Sequence, residues 1–153
     1  TPALSSAASD VYKRQENAGH TITEIFSEHH HSALDIHDEA YISFLKNGWQ
    51  QWSILDGSSD EIIPNVHPGR NMNANPSAIV SAAGYYQADT ACPIGEKTWE
   101  GAKASADTVI AAASNLLDRH KNNEHENFVY SLCRPTGHND YEDQAGVFCL
   151  LNN

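Results

Sequence analysis

Between Thr98 and His138 the sequence changes period twice, and the order of those changes limits the fold more than any other feature. Trp99, Ala102, Ala106, Val109, Ile110, Ala113, Leu116 and Leu117 recur at three- and four-residue steps, predicting a helix from near Thr98 to about Arg119. Lys121-Asn122-Asn123 breaks it. The apolar run Phe128-Val129-Tyr130-Ser131-Leu132-Cys133 then predicts a buried strand. Arg134-Pro135-Thr136-Gly137 forces a turn at the strand's end and presents His138. Helix, break, buried strand and loop is the rhythm of an open α/β sheet, whose sites lie at the carboxyl ends of strands.

A second helix is expected upstream. Asp38 can cap it, and Tyr41, Phe44, Leu45, Trp49, Trp52 and Leu55 share one face before Asp56-Gly57-Ser58-Ser59 ends it. These aromatics are expected to pack a core. Residues 60 to 83 carry Pro64, Pro68 and Pro76 and read as a long surface loop containing His67-Pro68-Gly69-Arg70. Gly84-Tyr85-Tyr86 through Thr90-Ala91 reads as extended or irregular. Before Asp35 the signal is weak: Ile22, Ile25 and Phe26 fit a short strand. The adjacent His29, His30 and His31 diverge on a loop and read as a solvated turn rather than a metal site. Residues 1 to 15 are small, polar and aperiodic, and SDVYKRQ resembles a stretch found at the ends of unrelated sequences. They are expected to be a tail, foreign or natively disordered, which leaves 16 to 153 as the folded part.

Nine Lys and Arg against twenty Asp and Glu give a net charge of -11, which argues against a nucleic-acid partner because a phosphate backbone needs a basic face. The balance suits solubility and is compatible with a cationic substrate. Cys92, Cys133 and Cys149 show no CxxC spacing. Cys133 and Cys149 read as small buried hydrophobes, and a reducing, cytoplasmic compartment fits best. No apolar run approaches the roughly 18 residues of a membrane span, so no membrane partner is expected.

His138 is the one side-chain type in its loop that exchanges protons near neutral pH, and Asp140, Tyr141, Glu142 and Asp143 follow as potential partners. On spacing alone a structural histidine in a polar turn is an equal reading. Cys133, His138 and Asn139 also have the residue types of a thiol hydrolase. Against that, Cys133 lies inside a strand rather than at a helix N-terminus that would activate it.

Arg134-Pro135-Thr136-Gly137-His138, followed by Phe148-Cys149 and Asn152-Asn153, resembles the histone deacetylase and acetylpolyamine amidohydrolase superfamily. That family writes the region as Arg-Pro-Pro-Gly-His-His, a short loop, Gly-Phe/Tyr-Cys and Asn-Asn. Gly84-Tyr85-Tyr86, Thr98-Trp99-Glu100 and Ile36-His37-Asp38 with Tyr41 and Phe44-Leu45 are similar to its acetylpolyamine branch. The resemblance runs from about residue 20 to 153. It implies an arginase/deacetylase-like three-layer α/β fold with a mainly parallel sheet, incomplete in this chain. It also implies zinc-dependent hydrolysis of an acetylated small amine or acetyl-lysine, and it allows a homodimer. In the family, zinc polarises the acetamide carbonyl while a histidine moves the proton. The zinc ligands (Asp, His and Asp) and a stabilising tyrosine lie beyond the Asn-Asn segment. The chain is therefore expected to be an N-terminal fragment without metal ligands, inactive alone.

Carried over residue by residue, the catalytic positions are His138 and Asn139, and the substrate-binding positions are Gly137, Val147 and Phe148. Tyr85 and Tyr86 are expected to support the rim. Three departures stand out. Asn139 replaces the second histidine, and an amide cannot accept a proton. Val147 replaces a glycine where the backbone approaches the acyl stem, so its side chain is expected to narrow the channel. Val80 and Ala91 take positions that are acidic in polyamine-specific enzymes, which weakens a polyamine substrate. A diverged, non-catalytic acyl-ligand or protein-binding member is the alternative.

Overall fold

The computed structural model describes residues 13–24, 33–68, 76–88, 90–124 and 128–152. The expected histidine turn at 29–31, most of the tail and the candidate strand residues Ile25 and Phe26 lie outside these. Of the tail, Lys13, Arg14 and Gln15 open a helical turn at 13–17, and Ile22 sits in an irregular stretch. Four helices follow: α1 (Ala33–Ile36), α2 (Glu39–Ser53), α3 (Ile79–Tyr86) and α4 (Thr98–Lys121). None is long and apolar enough to cross a membrane among the described residues.

Helix α2 starts where its cap demands. The Asp38 carboxylate accepts from the N–H groups of Ala40 and Tyr41 at 2.9 and 3.1 Å, satisfying two of the first turn's orphan donors. Its apolar face buries Tyr41, Ile42, Phe44 and Leu45, while Trp49 and Trp52 pack on the core's edge. Both indoles stay hydrogen-bonded, donating to the carbonyls of Asp60 and Ser59. The helix ends at Ser53, so Leu55 lies beyond it and is partly exposed.

Helix α3 replaces the expected loop end and the extended reading of Gly84-Tyr85-Tyr86. Among the described residues no side chain caps it, and packing holds it. Ile79, Ala82, Ala83 and Tyr86 join the core, and the Tyr86 ring stacks on Phe44 of α2 at 4.9 Å between centroids. Gly84 lets the 66–68 segment cross this helix closely, because a Cβ there would overlap the Val66 carbonyl oxygen. His67 is tied beneath the crossing, its Nδ1–H donating to the Gln87 carbonyl at 2.7 Å.

Helix α4 matches its expected span within two residues at the C-terminal end. Its stripe is only partly covered. Ala102 and Ala106 are buried, Val109, Ile110 and Leu116 are half-buried, and Leu117 is 60% exposed.

Among the described residues, β pairing consists of three isolated bridges: Ile62 with Ile94 and Gly146 with Cys149, both antiparallel, and Gln87 with Ala145, parallel. Residues 128–133 run without a ladder partner among the described residues. Phe128 and Tyr130 are 75% and 80% exposed, and Cys133 is half-buried. The expectation of a buried strand therefore differs from what is seen. An apolar run becomes an interior strand only when neighbours supply both hydrogen-bonding edges and a covering layer.

Candidate functional site

The candidate loop is fastened at both ends before it presents any side chain. At its start, Ser105 of α4 donates its hydroxyl to the Pro135 carbonyl at 2.5 Å, and the Arg134–Pro135 bond is cis. Thr136 Oγ1 lies 3.4 Å from the buried Cys149 Sγ, so the start of the loop touches its return. Gly137 is buried beneath. At the far end, Leu150 and Leu151 enter the core, and the Tyr41 hydroxyl donates to the Leu150 carbonyl at 2.7 Å. Burial pushes the Tyr41 phenol far above its usual range, with the nearby Asp140 carboxylate adding to the shift.

Between these anchors the chain makes a tight excursion. Tyr141 N–H donates to the Gln144 carbonyl, and Gly146 N–H donates to Asp140 Oδ1 at 3.1 Å. Gly146 lies so close to Asn139 that a Cβ would overlap the Asn139 carbonyl. Tyr85 and Tyr86 meet this loop through their backbone carbonyls. Gln144 Nε2 donates to the Tyr85 carbonyl at 3.0 Å, and Ala145 N–H to the Tyr86 carbonyl at 2.8 Å. The Tyr86 ring is core rather than rim, and Tyr85 stands edge-on to it.

His138, Asn139, Val147 and Phe148 are exposed. The fold brings two of them together: the His138 and Phe148 rings meet edge-on, with centroids 5.7 Å apart at 70°. Asn139 follows with its side chain on the open side and its carbonyl against Gly146. Arranged so, an imidazole that can hold or pass a proton stands beside an aromatic wall suited to an apolar stem.

Val147 has a feature the sequence concealed, a φ of +54°. A β-branched residue in the left-handed region is a conformational outlier, costing about 1–2 kcal/mol against a right-handed backbone. Val147→Gly is expected to stabilise the chain by about 1 kcal/mol once glycine's own entropy is set against that strain. Denaturant unfolding checks it, and an unchanged or lowered midpoint would show that the strain is absent.

Asp140 is the other hidden feature. Its Oδ2 is buried with no hydrogen-bond partner among the described residues, while Oδ1 takes the Gly146 N–H. Burial raises its pKa to about 7, against the Gly146 hydrogen bond, which lowers it. With the folded value above the ordinary 3.8, the folded state holds the proton more tightly than the unfolded chain. Its contribution is full below about 3.8 and is lost as pH rises towards about 7. Asp140→Asn should therefore raise Tm at pH 8 by about 3 °C, a shift discounted for partial exposure, and change it little at pH 4. Equal effects at the two pH values would contradict the assignment.

A cleft of about 310 Å³ opens beside the loop, lined by Asp38, Tyr141, Glu142 and Asp143. Among the described residues no three His, Cys, Asp or Glu side chains converge so as to hold a metal. The zinc that the resemblance implies thus finds no ligand set in them. Cys133 is half-buried and not at a helix N-terminus that would activate its thiol. Sequence reasoning missed His37 as part of this site. It was visible only within the Ile36-His37-Asp38 resemblance, yet its buried ring touches both Glu142 and Asn152.

Comparison with known proteins agrees with the resemblance. Residues 5–153 match the histone deacetylase domain. Acetylpolyamine amidohydrolase 1 of Pseudomonas aeruginosa is 32% identical over 123 residues, covering 78% of this chain and 34% of that protein. The acetylpolyamine amidohydrolase of Burkholderia pseudomallei is 37% identical over 119 residues, covering 77% of this chain and 33% of that protein. A crystal structure of acetylpolyamine aminohydrolase from Burkholderia pseudomallei superposes with a TM-score of 0.80 at 31% identity. That match covers 95% of this chain and 40% of the other. The chain spans about a third of the length of the curated relatives it matches. With the domain match running over nearly its whole length, the chain belongs to the histone deacetylase domain family.

Proposed function

We propose that this chain is the N-terminal part, with residues 16–153 as its folded body, of a zinc-dependent amidohydrolase that removes acetyl groups from acetylated amines. The substrate class is an acetylpolyamine-type small amine or acetyl-lysine. The observation that carries the reading is the His138 ring set edge-on to Phe148 on a loop anchored at both ends. Relatives bearing the acetylpolyamine amidohydrolase name support it.

In this reading the metal is held by segments beyond Asn153, and its chemistry is to polarise the acetamide. The present residues do the rest of the positioning. His138 holds or moves the proton of the attacking water, Phe148 and Val147 line the acyl stem, and buried Gly137 keeps the turn compact. The exposed face of residues 128–133 and the uncovered half of α4 fit a parallel sheet completed by those same segments. The substitution of Asn139 and the strained Val147 favour a second reading, a diverged member that binds an acyl ligand or protein without turnover.

Assay of the complete reading frame separates the two. Acetylputrescine or an acetyl-lysine peptide should be hydrolysed by the complete protein, with loss on chelation, and not by residues 1–153. Binding of either compound without hydrolysis supports the second reading. Turnover by the 153-residue chain alone would overturn the first.

A further inference from the structure

We infer that His37 is a positioning residue for the His138 loop, acting through the spacing of the loop's two ends. The inference rests on the amidohydrolase reading only for its catalytic consequence. The His37 ring is 5% exposed and reaches 105 and 115 residues along the chain to its two partners. Its Nε2 accepts from the Asn152 N–H at 3.0 Å, and its Nδ1 lies 3.1 Å from the Glu142 carbonyl.

Chemistry fixes the proton. A backbone N–H can only donate and a carbonyl can only accept, so Nε2 carries the lone pair and Nδ1 the hydrogen. A single tautomer satisfies both partners, and no other side chain of similar length offers an acceptor and a donor on opposite edges of a rigid ring. The same Glu142 carbonyl accepts from Asp38 N–H at 2.9 Å, and Tyr41 holds Leu150 one turn along α2. The start of helix α2 and the two residues before it thus grip the segment from Glu142 to Asn152 at both ends, and His37 touches both.

That segment carries Val147 and Phe148. Because Phe148 meets His138 edge-on, a change in the spacing of the ends moves the aromatic wall against the imidazole. The ring of His37 therefore sets the aperture of the candidate site from beneath without touching anything bound there.

The test compares wild type with His37→Phe, which keeps the ring volume and removes both hydrogen bonds, and with His37→Asn and His37→Gln, which each restore one. On the 153-residue chain, nitrogen NMR should show His37 in the Nδ1–H form. The Asn152 amide should exchange about tenfold faster in His37→Phe, and the His138 ring protons should lose the ring-current shift imposed by Phe148. Amides within α2 should keep their protection in all variants, which separates a moved loop from a lost fold. In the complete protein, kcat on an acetylated amine should fall at least tenfold in His37→Phe with KM within threefold, and recover partly in His37→Asn or His37→Gln.

An Nε2–H tautomer, or unchanged Asn152 exchange and His138 shifts in His37→Phe, overturns the inference. So does a parallel loss of kcat and rise of KM with no rescue. If the wild-type complete protein hydrolyses no acetylated amine, the functional reading fails, and the exchange and ring-shift results decide the role of His37 alone.

Discussion

Gly146→Ala is expected to destabilise the chain by about 3 kcal/mol. A Cβ at this position would overlap both the carbonyl oxygen and the carbonyl carbon of Asn139. Those are backbone atoms, and rotamer changes cannot relieve the collision. Moving residue 146 away instead breaks the bond from its N–H to Asp140 Oδ1 and the bond from Cys149 N–H to its carbonyl. Overpacking a tight site costs about 1–3 kcal/mol, and each hydrogen bond lost about 0.5–1.5 kcal/mol. Gly95→Ala is the control. Its Cβ would meet its nearest neighbour, the flexible Glu61 side chain, at 3.7 Å, an ordinary contact, so a change within about 0.5 kcal/mol is expected. Chemical denaturation of the two variants side by side checks the claim, and coincident curves would refute it.

The contrast between helices α2 and α3 marks how far the sequence could be read. Helix α2 announces itself because Asp38 is a capping residue placed just ahead of an aromatic and aliphatic face, and the structure uses both signals. Helix α3 has eight residues, no capping side chain among the described residues, two β-branched residues in its first turn and a glycine near its end. Nothing local demands a helix there. It forms because Phe44 and the 66–68 segment leave a groove that fits Ile79, Ala83 and Tyr86, which is tertiary packing overriding weak propensity.

The strand expectation shows the opposite case. The apolar run 128–133 is plain in the sequence, but a strand is a relation between segments, and its partners are not encoded in its own residues. The loop was legible as chemistry and opaque as geometry. Arg134-Pro135-Thr136-Gly137-His138 pointed to the site, and the pairing of His138 with Phe148 follows the order in which they lie. Three features had no sequence signal. Val147 occupies the left-handed region against its residue type. Asp140 is charged by type, yet its Oδ2 is buried. His37 is coupled to partners more than a hundred residues away. Each depends on where distant backbone comes to rest, which periodicity cannot report.

Asn139→His is the prediction with the greatest consequence for activity. In the complete protein it is expected to raise kcat on an acetylated amine by about 10² to 10⁴, the range that a positioned general base contributes. The amide of Asn139 can donate and accept hydrogen bonds but cannot take up a proton, whereas an imidazole at the same place can. The substitution is structurally mild. The side chain is on the exposed side of the loop, and the contact with Gly146 is made by the backbone carbonyl, which any residue retains. Stability should therefore change by no more than about 0.5 kcal/mol. The gain should bring a new acidic limb to the pH–rate profile, since a base must lose its proton before it can work. An Asn139→Gln variant, longer but equally unable to accept a proton, should show neither. Steady-state kinetics across pH on the three proteins separates the possibilities. If the histidine variant gains nothing while its fold is intact, residue 139 does not face the reacting water, and the binding reading becomes the better account of this chain.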